Sequence, residues 1–335
     1  MHKSNKSIIK NIFKFLMLTI TLLGFTSNLK AEIKVVTTIQ PLHSIISNVM
    51  GSEGNLNLIL EGTASPHSFT FKPSHAKMIQ EADIIFWVGE DLENFLEKPL
   101  KLVSKKSKII SFMELSKIKK LKFREKNIYG DHDDHDKHGH KKDKHGHKKD
   151  DHDDHDKHGH KDSHGHAHGE FDVHIWLDPV NAKVIVEEVA HTLEELDPSN
   201  AKLYAENAKK TLKKLDLMIK NIDESINKNA SFVTFHDAYQ YFEKRFGIEA
   251  LGALTINTDI QPGAKQISEI KKLVEDKNIK CIFSEPQFNP KLINMIASNT
   301  GAKTGILDPL GSSYKPGKSL YFNLIKDLYK NLNKC

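Results

Sequence analysis

The chain of 335 residues carries 49 basic and 44 acidic side chains, which gives a formal net charge of +5 at pH 7. Five lysines within residues 1–31 supply this whole excess, so the remainder is near neutral and lacks the basic stripe expected of a nucleic-acid-binding protein. About 300 residues beyond that segment are enough for two modest lobes, each with its own core.

Residues 1–31 are predicted to be a cleavable signal peptide. Lysines precede an apolar run of 11 residues at 15–25, and Ala31 is a small residue at a plausible cleavage point. The run is too short to span a bilayer, and a retained N-terminal anchor is the alternative. No cysteine stands directly after the run to carry a lipid. We therefore expect a protein that is exported to a periplasm without an anchor.

Apolar, β-branched runs alternate with helical patterns over residues 32–197, the predicted N-terminal lobe. Continuous apolar strands separated by helices are typical of a parallel sheet that is covered on both faces. The predicted strands are 33–39, 56–60, 84–88 and 108–111, and the predicted helices are 41–50, 73–82, 92–103 and 179–196.

A tract of extreme composition, residues 131–170, interrupts this lobe. It contains a 20-residue unit that occurs twice with an identical first half, and it holds 13 of the 20 histidines together with 12 acidic residues and 8 lysines. Almost nothing in it is apolar, so we expect it to be disordered. Imidazoles interleaved with carboxylates favour zinc, copper or nickel, which predicts an accessory metal-binding loop; a solvated linker is the alternative. Its histidines are His132, His135, His138, His140, His145, His147, His152, His155, His158, His160, His164, His166 and His168.

Asp197 and Pro198 form a cap and first turn that open a helix predicted over residues 198–229. About 30 residues would make a helix roughly 45 Å long, which suits a rigid strut between two lobes. A second series of strands and helices follows in residues 230–335, the predicted C-terminal lobe. The sequence thus predicts an α/β fold of two lobes, each with a small parallel β-sheet covered by helices, joined by one long helix. The predicted strands are 231–235, 249–256, 279–284 and 302–307, and the predicted helices are 238–246, 264–276, 290–299 and 318–331.

Seven histidines lie outside the tract, and three of them stand where a ligand could bind. His67 follows a strand in a turn of small residues, His174 comes directly after the tract, and His236 ends an apolar strand. Ligands of open α/β sheets bind at the carboxyl ends of strands, and Asp308 ends the last predicted strand in the same way. Their spacing alone is not a recognisable metal motif. The other histidines, assigned to the signal or to ordinary helical positions, are His2, His43, His75 and His191.

The chain has two cysteines, Cys281 and Cys335. In an exported protein, a minimal even number of cysteines favours a disulfide, here one that ties the C-terminus to a core strand. A pair of thiolate metal ligands is the alternative, although the spacing does not resemble CxxC.

Several motifs resemble those of zinc-specific periplasmic substrate-binding proteins of ABC transporters, the ZnuA-like members of the metal-binding cluster of solute-binding proteins. The resemblance covers the whole mature chain, and a histidine-rich acidic loop before the second histidine also marks the zinc members. The motifs are GTASPHSF at 62–69, KPS at 72–74, ADIIFWVG at 82–89, DVHIWLDP at 172–179, TFHDAY at 234–239, FSEPQF at 283–288 and LDPLG at 307–311.

The resemblance implies that His67, His174 and His236 bind the metal in a cleft between the lobes. Asp308 matches the fourth-ligand position, where some zinc members use water or a different carboxylate. Three imidazoles and one carboxylate form a nitrogen-rich, four-coordinate site that suits Zn²⁺, whereas the manganese members resemble this pattern with a carboxylate in place of the third histidine. The two cysteines fall where certain members form a disulfide.

The resemblance further implies capture of Zn²⁺ in the periplasm and delivery to an inner-membrane permease with its cytoplasmic ATPase, by a monomer that is not an enzyme. In this hypothesis the tract collects zinc near the cleft. The alternatives are a periplasmic zinc buffer or adhesin without a permease, a manganese-type importer subunit and a zinc hydrolase. Against a hydrolase, the sequence has no HExxH motif and no acid near the ligands with a clear general-base role.

Overall fold

A computed structural model describes residues 32–103, 107–124, 126–128, 169–256, 258 and 261–335. The predicted signal peptide and nearly all of the histidine-rich tract lie outside these residues. The described chain contains two four-stranded sheets, in which every strand pairs in parallel with its neighbours. The predicted fold class is therefore confirmed. Among the described residues, no helix combines the length and the apolar character needed to cross a bilayer.

The first sheet has the strand order β2-β1-β3-β4 and forms the first lobe. Its strand β3 (Ile84–Trp87) is buried along its whole length, as a continuous apolar run predicts. The other strands are β1 (Lys34–Thr37), β2 (Asn55–Leu58) and β4 (Lys108–Ser111). The helices of this half are α1 (Gln40–Met50), α2 (Pro73–Glu81), α3 (Glu97–Lys101) and α4 (Pro179–Leu196).

The second sheet has the order β6-β5-β7-β8 and forms the second lobe. Its central strands, β5 (Phe232–His236) and β7 (Cys281–Ser284), are fully buried. Because β5 ends at His236, the strand itself carries one predicted ligand to the carboxyl edge of the sheet. The outer strands are β6 (Ala253–Thr255) and β8 (Lys303–Ile306), and the helices are α6 (Gln240–Phe246), α7 (Ala264–Asp276), α8 (Lys291–Thr300) and α9 (Leu320–Leu332).

The long helix that follows the first sheet and precedes the second along the chain is α5. It spans Ala201–Asp223 and is shorter than predicted. A 3-10 turn at Pro198–Asn200 precedes it, and residues 224–229 are not helical. The side chains of asparagines compete with a helix for backbone hydrogen bonds. Here the amide of Asn227 donates to Asn333 Oδ1 at 2.7 Å instead of to a carbonyl of a longer helix. Helix α5 packs against α1 and α4. The residues that follow α5 contact the end of α9. The strut role and the boundaries at 197 and 230 stay predictions.

Two further elements are shorter than predicted. The segment 92–103 contains a 3-10 turn at Asn94–Leu96 and the five-residue helix α3, which includes Pro99. Proline lacks the amide hydrogen that a longer helix needs. Strand β6 covers only the end of the predicted 249–256, and Gly252 before it forms an isolated antiparallel bridge with Ile128.

The disulfide between Cys281 and Cys335 is present, with a Cα–Cα distance of 5.8 Å. It joins β7 to the end of the chain, beyond α9, as the cysteine count predicted. The prediction of a structural bridge is therefore confirmed over the alternative of two thiolate ligands.

The segment just before the histidine-rich tract crosses from the first lobe to the second. Asn127 extends the β6 edge of the second sheet: its carbonyl accepts from the amide of Ala253 at 2.8 Å, and its side chain donates to the carbonyl of Leu254 at 3.1 Å. The amide of Leu121 also donates to the hydroxyl of Tyr241 at 3.0 Å. This segment thus links the two sheets through hydrogen bonds.

Candidate metal site between the two sheets

Three histidines from distant parts of the chain meet between the lobes. His67 lies in a 3-10 turn, Pro66–Ser68, and its backbone amide donates a hydrogen bond to the side chain of Ser65 at 3.3 Å. His174 lies just before the 3-10 turn that leads into α4, and His236 is the last residue of β5. His174 and His236 are buried, and His67 is partly exposed. The site therefore combines two rigidly held imidazoles with a more accessible one.

The imidazole nitrogens face one another at short range. His174 Nε2 lies 3.3 Å from His67 Nε2 and 3.3 Å from His236 Nε2. One nitrogen from each ring falls within 4.8 Å of the others. Among the described residues, no other group of three or more His, Cys, Asp or Glu side chains converges in this way. This geometry matches three ligands of one cation.

A carboxylate orients each of the two buried imidazoles. His174 Nδ1 lies 2.7 Å from Asp172 Oδ1, and His236 Nδ1 lies 2.7 Å from Glu285 Oε1. Since a carboxylate accepts, each Nδ1 carries the proton, and each Nε2 presents its lone pair to the site. Burial raises the pKa of Asp172 to about 7, so this arrangement at His174 applies to the ionised carboxylate, the form that a pH above 7 favours.

The two buried imidazoles differ in their affinity for protons. Burial, followed by the charge of His236, lowers the pKa of His174 well below its usual 6.5. Burial also acts to lower the pKa of His236, but neighbouring carboxylates outweigh it and raise that pKa above 6.5, Glu285 most strongly and then Asp237 and Asp172. The imidazole of His174 is therefore neutral and can offer a nitrogen lone pair to a metal ion. At His236 a metal ion has to compete with a proton for the nitrogen.

A buried ion-pair cluster borders the site on the side of the second lobe. Arg124 donates to Asp237 Oδ1 at 2.7 Å and to Glu243 Oε2 at 2.6 Å. Asp237 follows His236 directly, and Arg124 belongs to the segment that crosses between the lobes. Arg245 makes a second pair of bonds across the lobes, to both carboxylate oxygens of Asp178, at 2.6 and 2.7 Å. These contacts fix the backbone around the histidines.

The fourth predicted ligand, Asp308, does not join the histidines. Its Oδ1 accepts from the backbone amides of Leu310 and Gly311, each at 3.0 Å, and its Oδ2 accepts from the amide of Ser312 at 2.6 Å. A short side-chain acceptor followed by proline favours such a turn, in which the carboxylate caps its own backbone. Asp308 thus organises the loop after β8 and is not part of the group formed by the three imidazoles; its role as a fourth ligand, like the metal binding of the histidines, stays a prediction.

Comparison with known proteins identifies the family. Residues 35–335 match the family described as zinc-uptake complex component A, periplasmic, or ZnuA. The chain belongs to the ZnuA family. The resemblance predicted from the short motifs is thus confirmed over nearly the whole length of the chain.

Individual relatives agree with this family over similar lengths. The high-affinity zinc uptake system protein ZnuA of Brucella abortus (strain 2308) is 39% identical over 330 residues, covering 97% of this chain and 99% of the relative. The ZnuA protein of Yersinia pestis is 35% identical over 315 residues, covering 91% and 92%. The solved structure of the laminin-binding protein Lmb of Streptococcus agalactiae, described as an adhesin with metal-transporting activity, matches with a TM-score of 0.67 at 25% identity, covering 90% and 99%.

Several residues of the ZnuA-type site were not predicted individually. Asp172 and Glu285 lie inside the quoted motifs, but their role as hydrogen-bond partners of the imidazoles was missed. A signal did exist: Asp172 precedes His174 by two residues, and Glu285 follows the strand next to β5. Arg124 carried no such signal, because its partners are more than a hundred residues away in the sequence.

Proposed function

We propose that this chain is the periplasmic component of an ABC importer that captures Zn²⁺ between its lobes and delivers it to an inner-membrane permease coupled to a cytoplasmic ATPase. His67, His174 and His236 hold the ion. Residues 1–31 direct export and are then removed, and the mature chain acts as a monomer. Membership of the ZnuA family supports the transport role, and the names of the relatives support zinc as the cargo.

The spacing of the Nε2 atoms carries the proposal. Zinc binds imidazole nitrogen at about 2.0–2.1 Å with tetrahedral geometry, which places two nitrogen ligands about 3.3 Å apart. His174 Nε2 stands at 3.3 Å from the Nε2 atoms of both other histidines. The side chains are therefore already arranged along two edges of a zinc-sized tetrahedron.

The donor set favours zinc over manganese. Three neutral imidazoles suit zinc, copper and nickel, whereas manganese prefers oxygen ligands. Copper would bind more tightly still by the Irving–Williams order, so metal availability in the periplasm completes the selectivity.

The histidine-rich tract serves as an accessory collector in this proposal. Its 13 histidines are interleaved with carboxylates, and the tract ends four residues before His174. A flexible tether can hold a weakly bound ligand near a second site at effective concentrations of about millimolar. Deleting residues 131–169 should leave the site between the lobes intact, lower the number of zinc ions bound and slow uptake mainly under zinc limitation. Unchanged stoichiometry would exclude the collector role.

Calorimetry on the chain without residues 1–31 tests the central site. The tract-deleted protein should bind one Zn²⁺ tightly, and His236→Ala should abolish that binding. His191→Ala is the matched control, because this histidine lies exposed on α4 and contacts Glu195 instead of the site. Equal zinc affinity in the His236 variant would overturn the assignment. Zinc-limited growth of cells that express the chain with a permease and ATPase then separates an importer component from a zinc buffer.

A further inference from the structure

Gln287 lines the same pocket as the three histidines, and its side chain is held in one orientation. Its Nε2 donates to Asp308 Oδ1 at 3.0 Å. Because the carboxylate can only accept, the nitrogen of the amide must face Asp308, and Oε1 must point the other way. Asp308 cannot turn freely, since backbone amides of its own loop hold both of its oxygens.

The oxygen of this amide is buried, and no donor in the described part of the chain lies within hydrogen-bonding distance of it. Buried acceptors in native proteins are nearly always satisfied, and an unsatisfied one calls for an explanation. Four other side-chain atoms in the described residues share this condition, but none of their residues lines the pocket of the histidines. The pocket of the histidines is thus lined by a residue with an unsatisfied buried acceptor, which a group that arrives with the cargo could use.

The chemistry of the cargo supplies such a group. Three imidazoles leave one position of a tetrahedral zinc ion open. Zinc in proteins takes nitrogen, sulfur and carboxylate oxygen, so a neutral amide oxygen is a poor candidate for that position. A water molecule on the ion would bring O–H groups that need acceptors.

We propose that Gln287 Oε1 accepts a hydrogen bond from a water molecule bound to the captured ion, and that Asp308 holds the amide in place for it. Gln287 is thus a positioning residue for the cargo, and Asp308 acts through it. The inference rests on the proposed function, because it requires a cation bound by the three histidines. Gln287 belongs to the FSEPQF motif and Asp308 to the LDPLG motif. In this inference both motifs therefore help to position the same water molecule.

A crystal structure of the zinc-loaded protein, at a resolution that shows ordered water, tests the arrangement directly. We expect a non-protein oxygen on the zinc within hydrogen-bonding distance of Gln287 Oε1. Direct coordination by Asp308 or by the amide oxygen itself would overturn the proposal. A zinc-bound oxygen that donates to a different acceptor would overturn it equally.

A matched pair of variants tests the energetic role in the tract-deleted protein. Gln287→Met keeps the approximate volume but removes the acceptor, and it should weaken zinc binding about tenfold, the low end of the effect of removing outer partners at metal sites. It should also change the visible spectrum of the Co²⁺-substituted protein, which a purely structural role would leave unaltered. Gln80→Met, the same change at an exposed position of α2, should match the wild type in both measurements.

The outcomes separate this inference from the proposed function. If His236→Ala abolishes binding while Gln287→Met binds zinc within twofold of the wild type and has the same Co²⁺ spectrum, only the role of Gln287 fails. If His236→Ala binds as tightly as the wild type, the proposed function fails and this inference fails with it.

Discussion

Glu93 is a fully buried carboxyl group that joins the ends of two strands at the carboxyl edge of the first sheet. It accepts hydrogen bonds from the hydroxyl of Thr38, after β1, and from the amides of Val88 and Gly89, after β3, the latter at 2.9 Å. Burial raises its pKa to about 7, even though these hydrogen bonds act to lower it. The group should therefore make the stability of the apoprotein depend on pH.

The sign and size of the effect follow from linkage. The folded protein holds the proton on Glu93 more tightly than the unfolded chain does, where the pKa is about 4.5. The contribution of this proton to stability is thus complete below pH 4.5 and is lost as the pH rises through about 7. Of a total of about 3 kcal/mol, about 2 kcal/mol should be lost between pH 5.5 and pH 8.

Urea unfolding of metal-free wild type and Glu93→Gln at these two pH values measures the effect. Because Gln has no proton to lose, the free energy of unfolding of the variant relative to the wild type should rise by about 2 kcal/mol from pH 5.5 to pH 8. Other titrating groups, including Asp172, are present in both proteins and cancel in the difference. Glu61→Gln, at an exposed position, is the control and should show no such rise. Parallel pH profiles for wild type and Glu93→Gln would refute the reasoning.

Three further perturbations test the site and its support. Glu285→Gln removes the charged partner of an imidazole and should weaken zinc binding about tenfold in calorimetry; wild-type affinity would contradict the orienting role. Arg124→Met leaves two buried carboxylates without their cation and should lower the free energy of unfolding by about 3–5 kcal/mol, whereas a loss below about 1 kcal/mol would show that the cluster is dispensable. Replacing Cys281 and Cys335 by serine opens a bridge over 54 residues and should lower that free energy by up to about 4 kcal/mol; a reductant should then destabilise the wild type but not the variant.

The sequence predicted most of the fold because its strongest patterns are local. Helices α4 and α7 have the predicted bounds, 179–196 and 264–276, and each shows apolar residues at helical spacing. The strands follow from buried apolar runs, and their observed ends lie within a few residues of the predicted ones. Such patterns show which face of a segment is buried, and this burial determines whether the segment forms a helix or a strand.

The misplaced boundaries have non-local causes. Asn227, beyond α5, pairs with Asn333 near the end of the chain, a partner that no local pattern reveals. Strand β6 is short, and the described part of its outer edge pairs with residues 127 and 128 from the other lobe. In both places a distant part of the chain takes the hydrogen bonds that the local prediction assigned to a helix or a strand.

The same distinction applies to the site. His67 and His236 could be predicted because one occupies a turn after a strand and the other ends a strand, whereas His174 was indicated by its place after the tract and by the resemblance. Asp308 satisfied the same rule, yet it binds its own loop, since the rule locates a residue but not the direction of its side chain. The carboxylates that orient the imidazoles and the amide of Gln287 act through side-chain contacts, which only the structure shows.

The contacts next to the histidines tie the two lobes together at the proposed zinc site. Trp176, two residues after His174, donates its indole N–H to the carbonyl of Pro309 in the second lobe at 2.7 Å, and Tyr321 donates its hydroxyl to the carbonyl of Trp176 at 2.8 Å. The turn that carries His174 is therefore bound to the lobe that carries His236. In the proposed function, contacts that hold the two buried imidazoles at a fixed distance leave little binding free energy to be consumed in ordering the site, so that more of it appears as affinity. In the same proposal, partly exposed His67 is the histidine with the most freedom to admit and release the ion.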